Sequence, residues 1–338
     1  MDPVVNQAAT LASLESITTS TAGHFRRNHF PTPYVDYARW AIAVGGAVGE
    51  PMVIGAAALR SAEPRALPVV LECAGHRRTE HGPSTPGIRW GVGAVSSAIW
   101  TGVPLGHVLR RAGIRRGAVE VVLRGADRGH GNHPGEHAYA RSLPLTKALH
   151  PDTLLAFEMN GRPIPIEHGG PVRVIVPGWY GMDSVKWLAG IHVVTRPFDG
   201  PFQAIDYRWH EPGDATGPGS RIDQLAVHSL ITWPGDGERL SPGAVDIRGV
   251  AWAPGVPLAE IAIRKDFGAW RPATIVRRSG RYGMTHWHAD VVLEPGSHRL
   301  SVRATDRRGA VQPATALPNI GGYCTNAVHR IAVTAETR

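Results

Sequence analysis

Only two cysteines occur in the 338 residues, and one of them, Cys73, stands in the run Leu71-Glu72-Cys73-Ala74-Gly75-His76-Arg77-Arg78. The thiolate is the form of cysteine that attacks electrophiles and binds metals, and nearby arginines favour it. Arg77 and Arg78 supply that charge, while Ala74 and Gly75 leave room beside the sulfur. An inert core thiol remains the alternative, since free cysteine is among the most buried residue types. Four further polar clusters interrupt the apolar pattern. They are His24-Phe25-Arg26-Arg27-Asn28-His29, Asp127 within Arg124-Gly125-Ala126-Asp127-Arg128, His168-Gly169-Gly170-Pro171-Val172-Arg173, and Asp183-Ser184-Val185-Lys186-Trp187. Singly, each reads equally well as a turn-capping histidine or a solvent-facing arginine. Together they offer a soft metal ligand and several guanidinium groups able to converge on a small anion. His130, His133 and His137 form one more group, but the Gly and Pro between them point to a loop rather than a metal site.

These groups need a scaffold of many short elements. Gly 40 and Pro 28 make turns frequent and long helices few. The clearest helix runs from Pro104 to Ala112, with Leu105, Val108, Leu109 and Ala112 on one face and Gly113 as its stop. A second helix is expected to start at Ser142, with Leu145, Ala148 and Leu149 inward, and a short one around Ala8–Ile17. Strands are expected at Ala118–Leu123, Pro171–Val176 and Gly190–Val194. The run Glu211-Pro212-Gly213-Asp214-Ala215-Thr216-Gly217-Pro218-Gly219 marks a break, after which strands alone follow. They fall at Ala226–Trp233, Ala244–Trp252, Leu258–Lys265, His288–Leu293, His298–Asp306 and Ala327–Thr334. That regular spacing argues for an immunoglobulin-like β-sandwich.

Single cores rarely grow beyond about 250–300 residues, so this length implies two domains. A hydrophobic fraction of 43% with 19% charged residues fits a folded globular chain. The net charge of +8 raises nucleic acid as a partner, but no basic tail or lysine-rich helix accompanies it. Two distant cysteines build no disulfide framework, and no apolar run reaches the length of a membrane span. Arg26-Arg27 lacks the apolar stretch that an export signal needs, so a cytoplasmic location is expected.

In order, these clusters resemble the sulfite oxidase family of molybdenum enzymes. Phe25-Arg26-Arg27-Asn28-His29-Phe30-Pro31 is similar to the family's opening Arg-Asn-His motif, and Cys73 to Arg78 to its Cys-Ala-Gly-Asn-Arg-Arg motif. Trp90 to Trp100, Phe157-Glu158-Met159-Asn160-Gly161, His168 to Arg173, and Ser184-Val185-Lys186-Trp187-Leu188 continue the match. Asn326-Ala327-Val328-His329-Arg330 is similar to a segment of the family's dimerisation domain. The implied fold is α+β: a mixed α/β molybdopterin-binding domain over 23–210, after an N-terminal extension over 1–22. An immunoglobulin-like dimerisation domain follows over 211–338.

The resemblance also implies roles. Cys73 becomes the sole protein ligand to molybdenum, whose other sulfurs come from molybdopterin. Phe25, Arg26, Arg27, Asn28, His29, Asp127, His168, Arg173, Ser184, Val185 and Lys186 would hold the cofactor. Arg27, Arg78, Trp90 and Tyr207 would form the catalytic pocket. The implied reaction is oxidation of sulfite to sulfate, with electrons passing to an external cytochrome, quinone-linked carrier or oxygen. No haem domain, nucleic acid or membrane is expected, and the assembly would be a homodimer. A nitrate, sulfoxide or other oxo-transfer reductase is the alternative enzyme; a cofactor-free anion- or nucleic-acid-binding protein is the alternative of another class. Two departures bear on the site: His76 stands where the family has Asn, and Gly321 where typical members carry a pocket arginine.

Overall fold

The computed structural model describes residues 4–214 and 217–337. Two five-stranded sheets form the first domain. One pairs Arg65–Glu72, Val95–Pro104, Leu154–Met159 and Arg162–Pro163, with Arg173–Ile175 also on Leu154–Met159. The other runs Met52–Gly55, Ala41–Gly46, Leu188–Val194, Glu120–Gly129 and His137–Pro144. Only Ala41–Gly46 with Leu188–Val194 is parallel in these two sheets. The expected first helix forms over Leu105–Ala112, burying Leu105, Val108, Leu109 and Ala112. Gly113 ends it at φ 67°, a left-handed cap open to glycine at little steric cost.

Two expected helices are corrected. Ser142 belongs to strand His137–Pro144, opposite Val122, and the helix that follows is the single turn Leu145–Ala148. Pairing of this edge strand with Glu120–Gly129 outweighs the local helical pattern. Around Ala8–Ile17 only the 3-10 turn Ala12–Leu14 forms. That segment bonds outward instead, with Ala9 N on Gly93 O and Thr19 N on Ser97 O, both at 2.8 Å.

Beyond the break lies the sandwich. One sheet pairs His228–Trp233, Gly243–Trp252, Thr285–Leu293 and Thr274–Arg278. The facing sheet pairs Glu238–Leu240, His329–Ala335, Gly296–Asp306, Leu258–Lys265 and Arg271–Pro272. Ile231, Ile247, Ile261, Trp287, Leu300 and Ile331 interlock between them. Three strands here, Glu238–Leu240, Thr274–Arg278 and Arg271–Pro272, were not expected from sequence, being short or rich in arginine. The seam between the domains is itself hydrophobic. Val69, Leu71 and Trp100 from one side pack in one cluster with Leu230, Trp252 and Met284 from the other. Val70 N also bonds Tyr282 O at 2.9 Å across it. The Cys73 turn emerges from this seam, so a fixed domain contact fixes the turn.

Candidate active site

Cys73 follows strand Arg65–Glu72, and its N–H is held by Ala94 O at 2.9 Å. His76 N closes back on Cys73 O at 2.8 Å. Arg77 then adopts φ 59°, and this left-handed residue sends the two arginines apart. Arg77 pairs with Glu80 at 2.5 Å and donates to Ala327 O and Val328 O at 2.5 and 3.3 Å. Arg78 instead donates to Ile88 O and Gly321 O, both at 2.9 Å. A Cβ on Gly75 would stand 2.5 Å from the Arg78 guanidinium. Two expectations are therefore corrected: Arg78 fills the space at Gly75, and Arg77 latches the domains rather than serving the sulfur. Burial pushes the Cys73 thiol up, outweighing the downward pull of the Gly75 backbone, Arg27 and Arg78.

Two cavities meet at this sulfur. The inner one, about 700 Å³, is lined by Phe25, Arg26, Arg27, His29, Cys73, Asp127, His168, Arg173, Ser184 and Lys186, among others. Its charged walls hold four cations, Arg26, Arg27, Arg173 and Lys186, against Asp127 and Glu167. Arg173 donates to His168 O at 2.8 Å and Ser184 O at 2.9 Å, which ties two of the clusters together. His168 Nε2 lies 2.7 Å from Thr21 O. Lys186 donates to Asn28 Oδ1, so Asn28 acts through that lysine rather than on the wall. Val185 turns its side chain into the first domain's core, and its carbonyl accepts from Val174 N at 2.8 Å.

The electrostatics of the inner cavity are unbalanced. Burial, with Arg173 adding repulsion, holds Lys186 well below the usual lysine range; burial pushes Asp127 up. Arg173 is brought down to about 9 by burial alone. Asp127 Oδ1, Arg173 Nε and His24 Nε2 are buried with no hydrogen-bond partner. Such atoms cost about 1–3 kcal/mol each when left unpaired. A polar, phosphate-bearing guest with amino donors and ring acceptors would meet all of them. The residues present fit molybdopterin, and Cys73 fits its metal.

The outer cavity, about 1000 Å³, shares Arg27, His29, Cys73 and Tyr207 with the inner one and adds Arg78, Trp90 and Tyr323. All four expected catalytic residues thus line one space beside the sulfur. Tyr207 Oη lies 2.6 Å from His29 Nε2, and burial raises its phenol well above the usual range. The Tyr323 ring lies 5.5 Å from that of Tyr207, and the Arg78 guanidinium sits 4.9 Å above it. A Cβ on Gly321 would stand 2.3 Å from the Tyr323 ring, so an aromatic fills the place where a longer side chain would pass.

Sequence reading passed over several of these walls. Tyr139 stacks on His29 at 4.4 Å, and Arg141 forms a fully buried pair with Asp183 at 2.9 Å. Tyr323 carried no motif beyond its place beside Cys324. Two other features fall elsewhere than the metal centre. His76 lines neither cavity and faces His228, at 5.2 Å between rings. The histidine-rich segment is a loop over 130–136, as expected, but His137 opens strand His137–Pro144, opposite Gly129. There His130 and His137 bond loop carbonyls, and His133 meets Asp206 at 3.2 Å.

Comparison with known proteins decides the family. A model described as the oxidoreductase molybdopterin binding domain matches residues 29–202, and one described as the Mo-co oxidoreductase dimerisation domain matches 220–336. The chain belongs to the sulfite oxidase family. Sulfite oxidase of Gallus gallus is 33% identical over 341 residues, covering 94% of this chain and 73% of that protein. Mitochondrial sulfite oxidase of Rattus norvegicus is also 33% identical, with 94% of this chain and 62% of that protein covered. The chain thus spans less than two thirds of the mammalian relative. Nitrate reductase [NADH] 1 of Oryza sativa is 31% identical, over 93% of this chain and 38% of that protein. The sulfane dehydrogenase SoxCD of Paracoccus pantotrophus shares the fold, with TM-score 0.87 at 24% identity, over 100% of this chain and 88% of that one. Among the described residues of this family member, no helix is long and apolar enough to cross a membrane.

Proposed function

We propose that this chain is a molybdenum-cofactor sulfite-oxidising enzyme that passes its electrons to an external acceptor. The observation that carries the reading is the position of Cys73 at the junction of a cationic inner cavity and a mouth walled by Arg27, Arg78, Trp90 and Tyr207. The cofactor, held by Cys73, Asp127, His168, Arg173, Ser184 and Lys186, would supply the two-electron redox and oxo-transfer chemistry. The chain's own residues bind and orient. Arg27 and Arg78 draw a small oxyanion toward the sulfur of Cys73 by charge. Tyr207, held by His29, offers its hydroxyl at the wall shared by both cavities and keeps its proton across the physiological range. Asn28 and Lys186 brace the inner end of the Arg27 segment. The cofactor excludes neither carrier nor oxygen as acceptor, and the sandwich supports a homodimer. The two free cysteines support a reducing compartment such as the cytoplasm.

One observation favours a second reading. With Gly321 and the Tyr323 ring where a third guanidinium would stand, the mouth is less cationic than sulfite binding can use, which suits a nitrate or sulfoxide reductase. Steady-state assays of molybdenum-loaded protein separate the two. Sulfite-dependent reduction of an oxidised dye is expected. Turnover of nitrate or sulfoxides with reduced dye, without sulfite oxidation, would replace the first reading by the second.

A further inference from the structure

Away from both cavities, three buried side chains with metal-ligand chemistry converge where the catalytic domain meets the sandwich. Glu72 ends strand Arg65–Glu72, His76 lies in the turn after Cys73, and His228 opens strand His228–Trp233. One ligand atom from each lies within 4.8 Å of the other two. Each of these residues is only 1% exposed. Neither ring nitrogen of His76 has a hydrogen-bond partner, and neither does Nδ1 of His228. These groups are therefore close without bonding one another. The large majority of buried side-chain polar atoms in native proteins are paired, so three unpaired nitrogens in one cluster call for a partner.

The surroundings fix how this trio is presented. His228 Nε2 lies 3.0 Å from Thr325 O, and a carbonyl only accepts, so the proton is on Nε2 and Nδ1 carries a lone pair. The Trp252 ring stacks on His228 at 4.6 Å and donates its Nε1–H to Glu72 Oε2 at 2.8 Å. Partners of this kind, a carbonyl behind an imidazole and a donor behind a carboxylate, orient ligands around metal ions. The strong charge nearby is Arg77, whose guanidinium is committed to Glu80, Ala327 O and Val328 O. His329, also near, is occupied: its Nδ1 accepts from Ile231 N at 3.0 Å.

We propose that Glu72, His76 and His228 bind one divalent metal ion of the zinc class, separate from the molybdenum, which clasps the two domains together. Two imidazoles and one carboxylate form a donor set suited to that ion, and spacings of this order close around it with small side-chain rotations. The three ligands are buried and line neither cavity, so the ion meets no substrate and its role is structural. It ties the turn bearing Cys73 to the first strand of the sandwich, the same junction that Arg77 latches from the other side of the turn.

Elemental analysis of untagged holoenzyme, purified from zinc-replete medium and equilibrated with zinc, tests this. About one zinc per chain is expected, in addition to molybdenum. His228→Gln should lower zinc content by about tenfold or more while molybdenum stays bound. His76→Asn, which also removes a ligand, should give the same loss and serves if the first variant does not fold. Zinc-edge X-ray absorption should show imidazole nitrogens at about 2.0–2.1 Å. Less than about a tenth of a zinc per wild-type chain, or unchanged zinc in either folded variant, would overturn the proposal.

Discussion

The inner and outer cavities share the wall at Cys73 yet are built on opposite plans. Inside, buried polar atoms are left open: Asp127 Oδ1, Arg173 Nε and His24 Nε2 have no partner in the protein. At the mouth, most polar groups are already closed on the chain itself. Arg78 bonds Ile88 O and Gly321 O, and on the wall that both cavities share Tyr207 bonds His29. Trp90 Nε1 is the exception on that side. A resident guest can repay the desolvation of open groups for the life of the protein, whereas a transient substrate must arrive and leave. The difference teaches which cavity is meant to be filled permanently. It supports the proposed reading, in which the inner cavity takes the cofactor and the outer one a small anion.

The strongest way to break this contrast is Cys73→Ser. On the proposed reading, removing the thiolate takes away the metal's protein ligand and should bring turnover to background. The inner cavity keeps its other contacts, so bound pterin should persist and the sandwich should remain folded. Pterin fluorescence, molybdenum content and circular dichroism measured together check each part. Retained activity would remove the assignment of Cys73, and loss of pterin would mean the inner walls alone do not hold the guest.

A second test concerns what supports the mouth. Arg141 and Asp183 form an ion pair with both side chains wholly buried, and the Arg141 guanidinium lies 5.5 Å from the Tyr207 ring. Asp183→Asn leaves Arg141 charged and underpaired, while Arg221, at 3.6 Å from Asp183, keeps Glu120 at 3.7 Å and Ser142 O. Breaking a buried pair in this way costs about 3–5 kcal/mol. Chemical denaturation at equal cofactor loading reads that loss directly. A change below about 1 kcal/mol would show that the pair is not part of the scaffold under Tyr207.

Which of these features the sequence revealed follows from how each is encoded. Helix Leu105–Ala112 was legible because its apolar stripe and Gly113 stop are local. The sandwich strands were legible because their spacing repeats. Motif residues around Cys73, Asp127 and Lys186 were legible as short runs, and ten of the twelve expected cofactor contacts line the inner cavity. What failed was direction. Neighbouring Arg77 and Arg78 look equivalent as letters, but the φ of 59° at Arg77 sends one to the sandwich and the other to the mouth. Tyr139 and Arg141 sit on a strand whose alternation hides their role until His29 and Asp183 are folded against them. Glu72, His76 and His228 meet only because two domains dock.

The mouth also admits a finer test, with the smallest expected effect. Tyr323 lies under the Arg78 guanidinium at 4.9 Å and beside Tyr207 at 5.5 Å, so its ring positions a cation without touching the inner cavity. Cation–π contacts of partly buried groups are worth about 0.5–2 kcal/mol. Tyr323→Leu keeps an apolar filler but removes the quadrupole that steadies Arg78. If Arg78 binds the substrate anion, KM should rise by about twofold to thirtyfold while kcat changes little, since ground-state and transition-state binding weaken together. An equal fall in kcat with KM unchanged would instead place the ring in the chemical step. No change in either would separate Arg78 from substrate binding and leave Arg27 as the cation that receives the anion.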